Sequence, residues 1–140
     1  MNEELVRVNK FDLAMFTKAS AALPEALKIM GFTSLRAGQD HIIKSVLGGL
    51  DTIGILPTGT GKSAVFQIPT LACGWKTLVI SPLIALMRDQ VQSAQRKGIR
   101  AGSINSSDPN MSQIVMNQWA AGELDLMYCA PERLEQAAFV

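Results

Sequence analysis

This sequence is poor in the residues that most often build a catalytic or metal centre by themselves. It holds one histidine, His41, and two cysteines, Cys73 and Cys129. A lone imidazole and two distant thiols assemble no Cys/His metal cluster, and two thiols make no disulfide framework. His41 is therefore expected as an ordinary helix residue, and the cysteines as buried, inert thiols in a reducing compartment. Charge of one sign is scarce too. The formal net charge is +1, so no bulk basic field advertises nucleic acid, and any such binding must come from local contacts. Long hydrophobic runs are missing as well: the most apolar stretch, Leu78 to Met87, is broken by Ser81-Pro82 and is too short to span a bilayer. The start, Met1-Asn2-Glu3-Glu4, is acidic where a secretory signal is basic. A soluble cytoplasmic protein, or a nuclear one in a eukaryote, is expected.

What is present is a chain of 140 residues, 48% hydrophobic and 18% charged, which suits one folded domain with a core. Residues 1–22 read as an arm or short helix, and residues 23–140 as the domain. Pro24 sits near the start of a short helix that Gly31 stops, and a second helix is expected from Arg36 to Leu47. Thr52 to Leu56 is a short apolar run with the pattern of a buried strand, followed by a Gly/Thr loop and a helix from Lys62 to about Leu71. Further strands are expected at Thr77–Ile80, Ala101–Ile104 and Leu124–Cys129. Helices are expected from Pro82 to Lys97, from Asp108-Pro109 to near Gly122, and from Pro131 onward. Strands alternating with helices predict an α/β fold with a mostly parallel sheet. In such sheets ligands bind beyond the carboxyl ends of the strands. Segments 57–63, 81–82, 105–107 and 130–133 all fall at such ends, so one working face is expected.

The segment Pro57-Thr58-Gly59-Thr60-Gly61-Lys62-Ser63 has the chemistry of a phosphate cradle. Glycines let backbone N–H groups curl around an anion, and a helix N-terminus adds partial positive charge. Lys62 is expected to reach the β- and γ-phosphates of ATP, and the Ser63 hydroxyl to coordinate Mg²⁺. The general pattern asks for glycine five residues before Gly61, where this chain has Leu56. Upstream, Phe32, Arg36 and Gln39 form a candidate adenine site. The amide of Gln39 offers a donor and an acceptor to the base edge, while Phe32 and Arg36 can sandwich the ring.

Phe32, Leu35-Arg36, Gly38-Gln39, the loop from Leu56 to Ser63, the block Ser81-Pro82-Leu83-Ile84-Ala85-Leu86-Met87-Arg88-Asp89-Gln90 and Ala130-Pro131-Glu132-Arg133-Leu134 together resemble the RecQ family of superfamily 2 DNA helicases. The resemblance covers roughly residues 23–135 and follows the family's motif order. It accounts for Leu56, since that family carries a bulky apolar residue there. It implies a RecA-like P-loop NTPase domain, 3′ to 5′ unwinding coupled to ATP hydrolysis in the full-length protein, a role in DNA repair and recombination, and a monomeric full-length state. It further implies that Ser81, Pro82, Asn105, Ser106, Pro131, Glu132 and Arg133 face single-stranded or partly duplex DNA, with Arg88 in the same set. Lys76 to Arg100 holds five basic residues and one acid, a local positive balance that a solvated helix face would also produce. Trp75 and Trp119 can stack on bases or pack in the interior.

Against that family, the expected acidic Asp-Glu motif, the second motor domain with its arginine finger, and the zinc-binding and winged-helix regions do not occur among residues 1–140. The domain is thus expected to be incomplete at its C-terminus, to hold Mg·ATP without efficient turnover, and to leave a strand edge unpaired. Two further readings stand beside the leading one: a superfamily 2 translocase acting on RNA, and a nucleotide- or DNA-binding module without catalysis.

Overall fold

The computed structural model describes residues 10–56, 61–105 and 108–135. The chain divides into two compact units, residues 1–73 and 74–140.

The first unit is helical: α1 (Leu13–Ala21), α2 (Leu23–Ile29), α3 (Gln39–Leu47) and α4 (Ala64–Cys73). Asp12 starts α1, its carboxylate accepting from the Met15 N–H at 3.0 Å. The Asp12 N–H donates to the Gly48 carbonyl at 2.9 Å, tying this segment to the end of α3. Gly48 is glycine for a reason of space, because a Cβ there would overlap the Phe11 ring. Pro24 stands in the first turn of α2. From α3, Gln39, Ile43 and Leu47 are buried, an i, i+4, i+8 stripe, and α3 packs against α1 and α4.

Two expectations are corrected here. The helix foreseen from Arg36 begins at Gln39, after a turn in which Gly38 takes φ +89°. The strand foreseen at Thr52–Leu56 does not form: residues 51–56 have no regular structure, and Ile53 and Ile55 are 93% and 90% exposed. An apolar run supplies faces for a strand but no hydrogen-bonding neighbour, and the described residues of this unit contain no other strand. The run lies against α3 instead. A Cβ on Gly54 would come within 2.6 Å of Ile42 Cδ1, so the missing side chain permits that approach.

The second unit contains β1 (Thr77–Ile80), α5 (Ile84–Arg96), β2 (Ala101–Ile104), α6 (Pro109–Ala120), β3 (Leu126–Cys129) and a 3₁₀ turn (Pro131–Glu135) where a helix was foreseen. The strands form a parallel sheet in the order β1-β3-β2, with Ile80 and Ile104 both opposite Cys129. The central strand β3 is buried throughout, whereas β1, with one neighbour, leaves Leu78 and Ile80 exposed. From α5, Met87, Val91 and Ala94 are buried at i, i+4, i+7. Ile104, Val115, Leu124, Met127 and Cys129 form a core cluster with Met116 and Trp119 at its margin. Gly102 lets α6 approach β2, since a Cβ there would lie 3.0 Å from Val115 Cγ1. Asp108 starts α6 as foreseen, its carboxylate accepting from the Met111 N–H at 3.0 Å. Among the described residues no helix is long and apolar enough to cross a membrane.

Candidate functional site

In the first unit the site centres on the turn that opens α4. Gly61 takes φ +73°, a conformation glycine adopts without penalty. Its carbonyl accepts two hydrogen bonds, from the Ala64 N–H at 3.1 Å and from Gln39 Nε2 at 3.0 Å. Lys62 is exposed, and Ser63 is partly buried at the foot of the helix. The Ser63 carbonyl accepts from the N–H groups of Phe66 and Gln67, which locks the first turn of α4. Leu56, the departure from the general phosphate-loop pattern, has a visible partner: a Cβ on Gly38 would meet Leu56 Cδ2 at 3.0 Å. The apolar side chain thus packs on the turn that introduces Gln39. Thr58, Gly59 and Thr60 lie outside the described residues.

Of the three adenine candidates, Arg36 and Gln39 are joined directly, the Arg36 N–H donating to Gln39 Oε1 at 2.8 Å. Gln39 is wholly buried while the Arg36 side chain is exposed. Phe32 lines an open hollow of about 540 Å³ with Leu23, Pro24, Leu27 and Thr33. That volume is in the range of small-molecule sites. The strand expected ahead of the phosphate loop is absent, and the flanking residues Leu56 and Gly61 both meet the Gly38–Gln39 turn.

In the second unit the sheet register aligns three candidate segments. Ile80, Ile104 and Cys129 share one row. Ser81, Asn105 and Ala130, the next residues of each strand, therefore emerge level at the carboxyl end of the sheet. With strands about 4.8 Å apart, the row is about 10 Å wide. The Ser81 N–H donates to the Cys129 carbonyl at 3.0 Å, and Ser81 Oγ accepts from the Leu83 N–H at 3.1 Å. Ser112 Oγ donates to the Asn105 carbonyl at 2.7 Å, and the Arg133 N–H to Ala130 O at 3.1 Å. Pro82, Arg88, Pro131 and Glu132 are exposed, Arg133 is half-buried, and Ser106 lies outside the described residues.

The basic patch is weaker than its residue count. Arg100 is held by Asp125 through its side chain at 2.8 and 3.2 Å and through its own N–H at 3.1 Å. That hydrogen bonding lowers the Asp125 carboxyl below its ordinary range and raises the Arg100 guanidinium. Lys76 lies 4.4 Å over the Trp119 ring and donates to the Trp119 carbonyl at 2.8 Å. Trp119 itself borders the core, so packing is its role here. Trp75 is partly buried and His41 is exposed on α3. Burial pushes both thiols up, with the Arg133 charge opposing this at Cys129. Cys129 is buried as expected, whereas Cys73 is only half-buried. Among the described residues no three His, Cys, Asp or Glu side chains gather into a metal-holding group.

Sequence reasoning missed the bonds from Gln39 to Gly61 and from Arg100 to Asp125. The partners are 22 and 25 positions apart and share no local pattern. Only Leu56 hinted at the first, as a bulky residue that needed something to pack on.

Comparison with known proteins gives this geometry its setting. Residues 36–139 match the family model described as DEAD/DEAH box helicase. The chain is 40% identical over 128 residues to the ATP-dependent DNA helicase RecQ of Haemophilus influenzae, covering 91% of this chain and 21% of that protein. It is 42% identical over 112 residues to the protein of the same name from Bacillus subtilis, covering 79% and 19%. The chain thus spans about a fifth of the length of these curated relatives. A solved structure titled as a hypothetical ATP-dependent RNA helicase from Sulfolobus tokodaii is similar with a TM-score of 0.62 and 25% identity, covering 82% of this chain and 35% of that one. The parallel α/β architecture is that of a helicase RecA-like domain. With the family model spanning residues 36–139, this chain belongs to the DEAD/DEAH box helicase family.

Proposed function

We propose that this chain is the ATP-binding portion of an ATP-dependent DNA helicase of the RecQ kind. The observation that carries the reading is the Gly61-Lys62-Ser63 turn, whose peptide is held from two sides where it opens α4. The first N–H groups of α4 are bonded to the carbonyls of this turn, so the anion's donors are the N–H groups of the turn itself, backed by the helix dipole. The exposed Lys62 ammonium binds the β- and γ-phosphates as a point charge, and Thr58, Gly59 and Thr60 complete the cradle. Ser63 holds Mg²⁺, which when bound neutralises charge on the phosphate oxygens. Phe32 and Arg36 flank the adenine, and Gln39 belongs to the same turn as Arg36.

The level row at the carboxyl end of the second unit's sheet is the proposed DNA contact. Ser81 and Pro82, Asn105 and Ser106, and Pro131 to Arg133 touch the backbone of a single strand there, with Arg88 adding charge. Contacts of this polar kind position a strand without reading its sequence. DNA is favoured over RNA because the relatives near 40% identity are named as DNA helicases, while the structure titled as an RNA helicase is 25% identical.

ATP binding by the 140-residue chain, read by calorimetry beside Lys62→Ala, tests the nucleotide site. Loss of binding in the variant supports the assignment, and equal affinity would remove it. Arg133→Ala is expected to weaken single-stranded DNA binding and leave ATP affinity unchanged.

A further inference from the structure

Where α1 and α2 meet α3, the first unit holds a cleft of about 310 Å³, at the small end of the range for small-molecule sites. Much of its wall is apolar. Phe16 comes from α1, Leu23 from α2, and the fully buried Ile43 and Leu47 from α3. The exposed side chains of Asp40, His41 and Lys44, all on α3, form its rim.

Asp40 and Lys44 stand one helical turn apart with the acid first, the order that favours an i, i+4 ion pair. Among the described residues no ion pair joins them. Lys44 leans toward α1 instead, its Nζ 5.8 Å from the centre of the Phe16 ring. The rim therefore offers one carboxylate and one ammonium to the same space, neither neutralised by the other.

A further polar demand lies within the wall. Ser20 lines the cleft, and its Oγ is buried without a hydrogen-bond partner. An unmet buried hydroxyl is costly, and one χ1 rotation carries a serine to another staggered rotamer. A hydroxyl brought in by a ligand would meet that demand.

Together these features describe the ligand: a flat apolar body, a cation and an anion close together at one end, and a hydroxyl at the other. A free α-amino acid carries both charges on one carbon, which no residue within a peptide chain does. A phenol side chain adds a ring to pack on Phe16 and a hydroxyl for Ser20. We propose that this cleft binds free L-tyrosine, with its ammonium on Asp40, its carboxylate on Lys44, its ring beside Phe16 and its phenol at Ser20. None of the residues assigned above to ATP or DNA takes part, so the site stands apart from those readings.

The test is an amide NMR titration of the whole chain with L-tyrosine, L-phenylalanine, tyramine and hydroxyphenylpropionate. L-Tyrosine is expected to shift the amides of α1 and α3 that border the cleft. Tyramine lacks the carboxylate and hydroxyphenylpropionate the ammonium. Each is expected to bind roughly tenfold more weakly, the scale of one hydrogen bond to a charged group. Lys44→Gln is expected to bring tyrosine down to the level of tyramine while leaving tyramine unchanged, and Asp40→Asn to do the same toward hydroxyphenylpropionate. Both positions are exposed, so neither change empties the core. Ser20→Ala is expected to abolish the preference for tyrosine over phenylalanine, a ratio of two ligands on one protein that a general loss of stability does not move. No binding of tyrosine, equal binding of tyrosine and its two singly charged analogues, or tyrosine affinity unchanged in both rim variants would overturn the proposal. Shifts confined to other parts of the chain, or a tyrosine preference that survives Ser20→Ala, would do so too.

Discussion

At Gly61 two demands meet in one residue. The backbone sits at φ +73°, and the space a Cβ would take belongs to Gln39. Gly61→Ala is expected to cost about 1–2 kcal/mol from backbone conformation alone, measurable by urea unfolding, and to weaken tripolyphosphate binding as well. Asp125 offers a second residue-level outcome. Hydrogen bonding from Arg100 holds its carboxyl below the ordinary value, which is about 3.9. The stabilisation is therefore fully present at neutral pH and begins to fade as pH drops toward that ordinary value. It is gone once pH falls below the lowered one. Stability of the wild-type chain is expected to fall more steeply below pH 5 than that of Asp125→Asn, by denaturant titration at several pH values. Both residues show where sequence reading stops. Asp125 and Gln39 look like surface and ligand residues until their distant partners are in view.

Elements were legible where local chemistry decides them. Asp108-Pro109 carries its own start signal, and the structure places α6 there with the Asp108 carboxylate on the Met111 N–H. Asp108→Ala is expected to cost about 1 kcal/mol, read as a lower urea midpoint with an unchanged slope. The strands at Thr77–Ile80 and Ala101–Ile104 fell where the apolar pattern put them. Thr52–Leu56 carried the same kind of pattern and formed no strand. Its two isoleucines stand in solvent because a ladder requires a neighbour at hydrogen-bonding distance, a property of the fold around it. Likewise the last helix became a 3₁₀ turn, where Pro131-Glu132-Arg133 set a start but not a length.

At the scale of the whole molecule, a net charge of +1 and two proposed binding chemistries on two compact units have to be reconciled. Arg88 and Arg133 lie nearest in sequence to the proposed strand-end contact, while Arg100 is held by Asp125 and Lys76 by Trp119. Two neutralised phosphates give a slope of about −1.4 for log K against log salt on single-stranded DNA. A fluorescence titration at several salt concentrations checks this, and a slope several times steeper would place much of the contact on other basic residues. Hydrogen exchange separates the two chemistries: tripolyphosphate is expected to protect Gly61 to Thr70, and single-stranded DNA the segments after β1, β2 and β3.

The sequence by itself determined the class of fold, the order of most elements and the helicase resemblance. All of these live in contiguous residue patterns. Only the tertiary structure decided that Thr52–Leu56 stays outside any ladder, and that Arg100 is neutralised. It also decided that Ser81, Asn105 and Ala130 stand level, and that Gln39 bonds the Gly61 carbonyl. Each of these depends on which distant groups share space, and that is set by packing and strand register, which no local pattern encodes.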